Sequence, residues 1–308
     1  MSVLTLPAQP AQATAPAPVP WQRMLWVTWR QHRAMLIGLT SVLAAVAVFL
    51  LIAGLDVHHA YTALTACRPV NSNACAALNT HFNDAYWPMG NTVDIFMNLT
   101  PVLIGMFTGP AVLARELETG TFRYAWTQGI GRVRWTIAKL TLLAVVITIL
   151  AWAFSQLFDW FFDPIMDFEA MSIVASKGVF DTRGIDFAAW TLVAFAIGAC
   201  LGMLIRRIIP AMAATLGVYL GLDLLSWLVL REDYPVAIDT TDANLFNGPS
   251  TPSSPWVLRT WTVGHTNWWR YIPASRFWPM QFIESGWLLV LAIALIAATV
   301  WLVRRRAA

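Results

Sequence analysis

The sequence predicts an all-α, polytopic membrane protein with six transmembrane helices. Hydrophobic residues make up 58% of the 308-residue chain and charged residues only 12%, about half of the fraction that is typical of soluble domains. The chain therefore has too few polar groups to cover a water-soluble globule. Its 17 tryptophans fit the same interpretation, because tryptophan is enriched at membrane–water interfaces.

Six apolar segments are long enough to cross a bilayer, which takes about 20 mostly apolar residues. They lie at about 35–55, 93–114, 135–162, 187–205, 208–230 and 286–303. The fourth and fifth segments are separated only by Arg206 and Arg207, which predicts a very tight turn between two helices.

Lysine and arginine concentrate in alternate loops, and this placement predicts the orientation of the chain. The loops on one side of a six-span topology carry Arg23, Arg30, Arg33, Arg115, Arg123, Arg132, Arg134, Lys139, Arg206, Arg207, Arg304, Arg305 and Arg306. The remaining loops are acidic or mixed. We therefore expect both termini in the cytoplasm and the protein in the plasma membrane, since five or seven spans would break the alternation.

Three stretches outside the spans have distinct compositions. Residues 1–20 are rich in Pro, Ala and Gln and are expected to form a disordered tail rather than a signal peptide. Residues 21–33 have helical amphipathic spacing, which predicts an interfacial helix; a simple extension of the first span is the alternative. Residues 34–308 then form the transmembrane domain, with an external, aromatic loop at 231–284 that touches or dips into the outer interface.

The cysteines and the missing motifs limit the chemistry. Cys67 and Cys75 lie in a predicted external loop, where disulfides persist; we predict a bridge, with two free thiols as the alternative. No CxxC or Cys/His cluster is present, so no metal site is expected. The sequence has no phosphate-binding loop, HExxH or GxSxG motif, and its net charge of +3 does not indicate nucleic acid.

The connection of residues 114–140 is the largest predicted cytoplasmic loop. Arg115, Glu116 and Glu118 extend the second span into water, and Gly120 breaks or bends that helix. A short apolar stripe follows at Phe122, Tyr124, Ala125 and Trp126. A short helix with an aromatic face rimmed by charge suits docking into a groove of another protein; an ordinary basic loop held at the headgroups is the alternative.

This loop resembles the cytoplasmic loop of ABC-2-type transporter permeases. The shared spacing reads Arg115-Glu116-x-Glu118-x-Gly120-Thr121, then Gly131-Arg132, then Lys139 at the start of the next span. Many members have Pro before the second motif, whereas this chain has Gly129-Ile130-Gly131. The run from Pro273 to Pro279, with Gln281 and Glu284, is similar to actinobacterial members of the family. Their plan has an N-terminal elbow helix, six spans and an external re-entrant pair before the last span.

The resemblance implies a permease subunit of an ABC-type exporter. Two such subunits, identical or different, would form a dimer that is surrounded by membrane lipids. Each would dock on a separate ATP-binding-cassette ATPase, which binds ATP and Mg. This chain itself would bind no cofactor and would not be an enzyme. By analogy, the coupling residues are Arg115, Glu116, Glu118, Gly120, Thr121, Trp126, Gly131 and Arg132. Few charges in the spans favour a lipophilic or amphipathic substrate; the alternative function is a non-transporting membrane anchor or sensor for a cytoplasmic regulatory partner.

A few polar or small residues lie inside the predicted spans. Asp223 in the fifth span has two interpretations, a contact in the translocation path or a structural hydrogen bond between helices. Asp159 is expected at the headgroup level. Gly198 and Gly202 form a GxxxG pattern that permits close helix packing and weakly favours a dimer.

Overall fold

The computed structural model describes residues 20–69, 72–120, 131–169, 177–231, 234, 237–242 and 256–306. The predicted disordered tail, up to residue 19, and two of the predicted coupling residues, Thr121 and Trp126, lie outside the described residues.

Helices dominate the described part of the chain. They are α1 (Trp21–Ala66), α2 (Asn73–Thr119), α3 (Arg132–Glu169), the short α4 (Lys177–Thr182), α5 (Asp186–Ile205), α6 (Ile208–Leu225), which continues as a π-helical turn (Ser226–Leu230), and α7 (Phe277–Arg306). Six of the described helices, all except α4, are long and apolar enough to cross a membrane. The prediction of an all-α, polytopic membrane protein is confirmed.

The two ends of the helix bundle differ in what they carry. Leu36 near the start of α1 and Val303 near the end of α7 belong to one apolar cluster, so the start of α1 and the end of α7 lie at one end of the bundle, which we name the terminal end. The opposite end is named the far end. There α1 and α2, with 46 and 47 residues, run on past the length that a bilayer requires, since 47 helical residues measure about 70 Å.

Residues 21–33 form the first turns of α1 and not a separate interfacial helix. The separate helix was expected from amphipathic spacing, but no Gly or Pro lies between Trp21 and Ile37 to interrupt the backbone. Met24, Thr28 and His32 are buried at intervals of four residues, which places them on one face of the continuing helix. The structure therefore matches the alternative, a simple extension of the first span.

Helix α5 is the centre of the bundle. It packs against α2, α3, α6 and α7 and is buried on almost every side, as expected for a helix that is apolar all round. Helix α1 packs mainly against α3 and has few contacts with α2. A groove is consequently left open between α1 and α2.

Glycines allow α2 and α5 to pack with their backbones in contact. A Cβ atom on Gly109 would lie 2.6 Å from the carbonyl oxygen of Phe195, and one on Gly198 would lie 2.7 Å from Cδ of Pro110. A Cβ on Gly202 would also crowd the Pro110 backbone. The Gly198–Gly202 pattern is therefore occupied by packing within one chain and gives no support for a dimer.

A three-stranded antiparallel sheet in order β1-β3-β2 lies at the far end. Its strands are β1 (Ile238–Thr240), β2 (Trp256–Val263) and β3 (Thr266–Ile272). The described part of residues 231–284 contains these strands and the start of α7, and not the re-entrant pair that the resemblance implied. Alternating aromatic and β-branched residues favour strands here, and Gly264, with φ of +64°, supplies the tight turn between β2 and β3.

Helix α7 begins at Phe277, nine residues before the predicted start of the last span at residue 286. The predicted start was too late because the span was located by hydropathy alone, and the polar residues Gln281 and Glu284 have the hydropathy of loop residues. Both side chains are fully buried against other elements. Their burial explains why the helix continues beyond its apolar part.

Candidate functional site

Glu116 joins three helices at the terminal end. Its carboxylate forms an ion pair with the Nζ of Lys139 on α3, and it accepts a hydrogen bond of 2.5 Å from Nε2 of Gln31 on α1. The Lys139 side chain is fully buried and lies 4.6 Å from the centroid of the Trp135 ring. Removing the partner of a buried charge strongly destabilises a protein. The contacts of Glu116 therefore hold α1, α2 and α3 together beside the 114–140 loop.

Glu118 ties the same end of α2 to α6. Its Oε2 accepts a hydrogen bond of 3.2 Å from the backbone N–H of Ile208, the first residue of α6. A carboxylate at a helix N-terminus satisfies a free N–H and interacts favourably with the helix dipole. The preceding residues make the predicted tight turn, in which Arg206 has φ of +60°.

The other predicted coupling residues mark the two ends of the loop. Gly120, with φ of +71°, ends α2 in the left-handed region. Gly131 is exposed, and its carbonyl accepts a hydrogen bond from the N–H of Trp135 in the first turns of α3, which begins at Arg132. Arg115 is exposed on the last turns of α2.

The structure thus brings Glu116 and Glu118 into contacts within the chain. Sequence reasoning placed both carboxylates in water, where they would be available to a partner. It missed Gln31 and Ile208 as partners, since neither carries a local pattern. Lys139 did offer a signal, because it is a lone cation at the start of an otherwise apolar segment.

A buried charged cluster at the far end is centred on Arg231. Its Nε donates to Oε2 of Glu284 at 3.0 Å and its Nη2 to Oε1 at 2.7 Å, a bidentate geometry. Nη2 also pairs with Asp181 on α4. All three side chains are buried, so the pairing replaces the hydration that each charge loses.

Further hydrogen bonds complete this cluster. Glu284 accepts from Nε1 of Trp190 on α5 and from the Ser226 hydroxyl, each at 3.3 Å. It also accepts from the Tyr234 hydroxyl at 3.4 Å; burial and the nearby Glu284 raise the pKa of Tyr234, which keeps that hydroxyl a donor. Gln281 accepts from the N–H of Ile185 at 3.0 Å and donates to two carbonyl oxygens.

Asp159 lies near the far end of α3, and its expected position at the headgroup level stays a prediction. It accepts hydrogen bonds from Nε of Arg183 at 3.0 Å and from the N–H of Gly184 at 3.4 Å. Arg183 also pairs with Asp163. The three side chains fasten the far end of α3 to the turn between α4 and α5.

Asp223 lies half-buried in the last turn of α6, and it is not among the residues that line the groove between α1 and α2. Its assignment to a translocation path stays a prediction. Cys67 and Cys75 form a disulfide with Cα atoms 5.7 Å apart, and Cys200 is a buried free thiol.

The groove between α1 and α2 forms an apolar recess of about 680 Å³. Leu39, Val46 and Phe49 of α1 face Phe96, Leu103 and Phe107 of α2 across it. A second recess of about 460 Å³ adjoins it at the terminal end and shares Met35 and Phe107.

The second recess, which we name the polar recess, has His32, Arg115 and Glu116 in its lining beside apolar residues such as Met35 and Phe107. Nε2 of His32 is buried and has no hydrogen-bond partner among the described residues. Together the two recesses offer a long apolar surface that ends in hydrogen-bonding and charged groups. Such a surface is chemically suited to an amphiphile with a polar head.

Fold and site define the class of the protein: a polytopic helical membrane protein whose α2–α3 connection is anchored into its bundle. A family model described as "ABC-2 membrane transporter related" matches residues 40–231. The chain belongs to this family, and it is a membrane subunit of a transporter. The match ends at Arg231, so the far-end sheet and α7 lie beyond it. Searches of curated proteins and of solved structures found no match.

Proposed function

We propose that the chain is the permease subunit of an ABC-type exporter. A separate ATP-binding-cassette subunit, which binds ATP and Mg, would hydrolyse ATP and drive a lipophilic or amphipathic substrate outward across the plasma membrane. The observation that carries this proposal is the anchoring of the α2–α3 connection through Glu116, Lys139 and Glu118.

Anchoring of this kind would transmit a displacement of the loop to the helices of the bundle. Removing Glu116 would leave the fully buried ammonium of Lys139 without its partner, at a cost of about 3–5 kcal/mol. A force on the loop should therefore move α1, α2 and α3 together before it separates them. Glu118 extends the same connection to α6. A partner that displaces residues 121–130 would consequently shift four spans.

The groove between α1 and α2 supports the class of substrate. Its volume lies within the range of about 300–1,000 Å³ that is typical of small-molecule sites, and its walls are almost entirely apolar. The polar recess at the terminal end would take the head of an amphiphile beside Arg115 and His32. A second copy of the chain, or a homologue, would close the open side of the groove.

Orientation completes the proposal. The basic residues of the terminal end and of its loops favour a cytoplasmic location for that end, by the positive-inside rule. The 114–140 loop then faces the ATPase, and the far-end sheet faces outward. The ATPase would meet the loop at its tip, near Trp126.

Loop variants in the reconstituted transporter test the proposal. Trp126→Ala and Glu118→Ala should each lower substrate-dependent ATP hydrolysis and transport by tenfold or more, because the former removes the docking side chain and the latter removes the acceptor that links α2 to α6. Trp152→Ala, a change at an exposed site in the middle of α3, is the matched control and should be neutral. Unchanged transport in both loop variants would contradict the coupling role and favour an anchor or sensor.

A further inference from the structure

One face of the far-end sheet carries two arginines directly opposite each other. Arg259 of β2 pairs in register with Arg270 of β3, and Asp239 of β1 pairs with Arg270 on its other side. Directly opposed residues of an antiparallel pair point to the same face, and like charges in that position are destabilising. The arrangement therefore favours an anion that lies between the two guanidinium groups.

Asp239 is the one carboxylate within the three described strands, and Arg270 binds both of its oxygens. Nε and Nη2 of Arg270 donate to the two carboxylate oxygens of Asp239 at 2.8 and 3.1 Å. These hydrogen bonds hold the pKa of Asp239 below its ordinary value, so the pair is charged at neutral pH. Arg259 is exposed and makes no ion pair within the described part of the chain, which leaves one positive charge uncompensated.

A small open cleft lies beside this charge. It measures about 280 Å³ and is lined by Arg259, Trp261 and Arg270. The Arg270 guanidinium lies 5.9 Å from the centroid of the Trp261 ring, and Trp261 stacks on Trp268 with ring centroids 6.2 Å apart. Trp261, which is held by its stacking on Trp268, thus lines the cleft together with the guanidinium groups of Arg259 and Arg270.

The surroundings of the cleft resemble a membrane interface. Helix α7 begins five residues after β3 ends, and its first turns expose Trp278 and Phe282. Val263 at the tip of the β2–β3 hairpin is 59% exposed. Exposed aromatic residues at the end of a spanning helix are typical of the headgroup level, where the available anions are phosphates.

We propose that this cleft binds a phosphate group, as carried by an anionic lipid headgroup or by free phosphate. Arg259 supplies the charge-assisted, fork-shaped hydrogen bonds that match phosphate oxygens. Arg270 adds charge from across the sheet, and Trp261 packs against the group that is attached to the phosphate. The site does not depend on the proposed transport function.

Binding to the full chain in a phosphate-free glycoside detergent tests this site. Inorganic phosphate and a short-chain phosphatidylglycerol are titrated separately by calorimetry, with detergent alone as the blank. Arg259→Gln should weaken binding about tenfold, since it removes a charge-assisted pair of hydrogen bonds. Binding of the lipid alone assigns the site to a headgroup, and equal dependence on Arg259 for both ligands assigns it to any phosphate.

Two further variants keep the test independent of folding. Arg276→Gln removes an exposed arginine close in sequence but outside the cleft, and it should leave binding unchanged. Asp239→Asn releases Arg270 from its carboxylate and should strengthen binding about threefold, because it removes a neighbouring negative charge. Equal losses in Arg259→Gln and Arg276→Gln, or no ligand whose binding depends on Arg259, would overturn the proposal.

Discussion

The guanidinium of Arg231 lies where four elements meet at the far end. It contacts carboxylates on α4 and α7, and Arg231 is the residue directly after the π-helical turn. Helix α5 is connected to this cluster by the hydrogen bond from Trp190 to Glu284. The centre of the guanidinium also lies 5.0 Å from the Phe180 ring. One buried cation thus holds together segments that no local pattern would connect, since its partners are 50 and 53 residues away in the sequence.

Removing a charge from the Arg231 cluster should destabilise the protein. Arg231→Met should cost about 3–5 kcal/mol, because it leaves two buried carboxylates without their cation; Glu284→Gln should cost less, because Arg231 keeps its ion pair with Asp181. Thermal unfolding of the purified chain in detergent measures the effect. Arg270→Met, which breaks a more exposed ion pair, is the control and should cost about 0–1 kcal/mol; equal shifts in the two sets of variants would contradict this account.

The candidate site could be predicted from the sequence only in part. The spacing of Arg115, Glu116, Glu118 and Gly120 predicted where α2 ends, because charge and helix-breaking signals are local; the coupling role of the loop stays a prediction. The partners Gln31 and Ile208 could not be found, since they lie 85 and 90 residues away. Such long-range contacts depend on which helices pack together, and a hydropathy profile does not predict that packing.

At the scale of elements, the contact of α2 with α5 determines the shape of the bundle. Small residues on both helices let the two backbones touch, and Gly109 and Gly198 face each other across the contact. In lipid, helices associate through close packing more than through the hydrophobic effect. This interface is therefore expected to be sensitive to a single added side chain.

Gly109→Val and Gly198→Val should disrupt this interface, since even a Cβ atom at either position would lie within 3 Å of backbone or proline atoms. We expect a loss of folded protein in detergent, measured by size-exclusion chromatography and thermal unfolding. Gly217→Val on α6 is the matched control, because a Cβ there meets no atom within 4 Å. A control variant as unstable as the other two would show that any valine at a glycine in a span is harmful.

Elements inside the membrane were predictable and those at the far end were not. Long apolar runs have one solution in lipid, a helix, because every backbone polar group must be bonded within the chain. The stretch of residues 231–284 has no such constraint, so its aromatic residues were compatible with a re-entrant segment or a sheet. The start of α7 was misplaced for a related reason, as Gln281 and Glu284 are polar residues buried in protein.

The disulfide gives a prediction for the orientation of the whole molecule. If the far end faces outward, Cys67 and Cys75 should be oxidised in cells and should resist a thiol reagent until they are reduced. Loss of the bridge in a Cys67→Ser/Cys75→Ser variant should destabilise the protein by about 2–3 kcal/mol, as expected for a short closed loop.

Mass-shift labelling of intact cells measures the state of these cysteines. Because Cys200 is buried, it serves as the internal control, which reacts only after denaturation. Free Cys67 and Cys75 in freshly quenched cells would contradict the outward orientation of the far end.

At the scale of the whole molecule, the start of α1, the end of α7 and the described ends of the α2–α3 connection lie at one end, and the sheet lies at the other. The groove between α1 and α2 leads from the polar recess at the terminal end into the apolar middle of the bundle. Under the proposed function, this arrangement would separate three tasks along one axis: contact with an ATPase, accommodation of an amphiphile, and contact with the opposite surface of the membrane.

The central claim, that the 114–140 loop meets an ATPase, is tested most directly by photo-crosslinking in the native membrane. A photoreactive residue is placed at Trp126 in the loop, and separately at Trp261 in the far-end sheet as the control. The account predicts a cross-link from position 126 to an ATP-binding-cassette subunit and none from position 261. Absence of that cross-link at position 126, with the protein folded and in the membrane, would contradict the account.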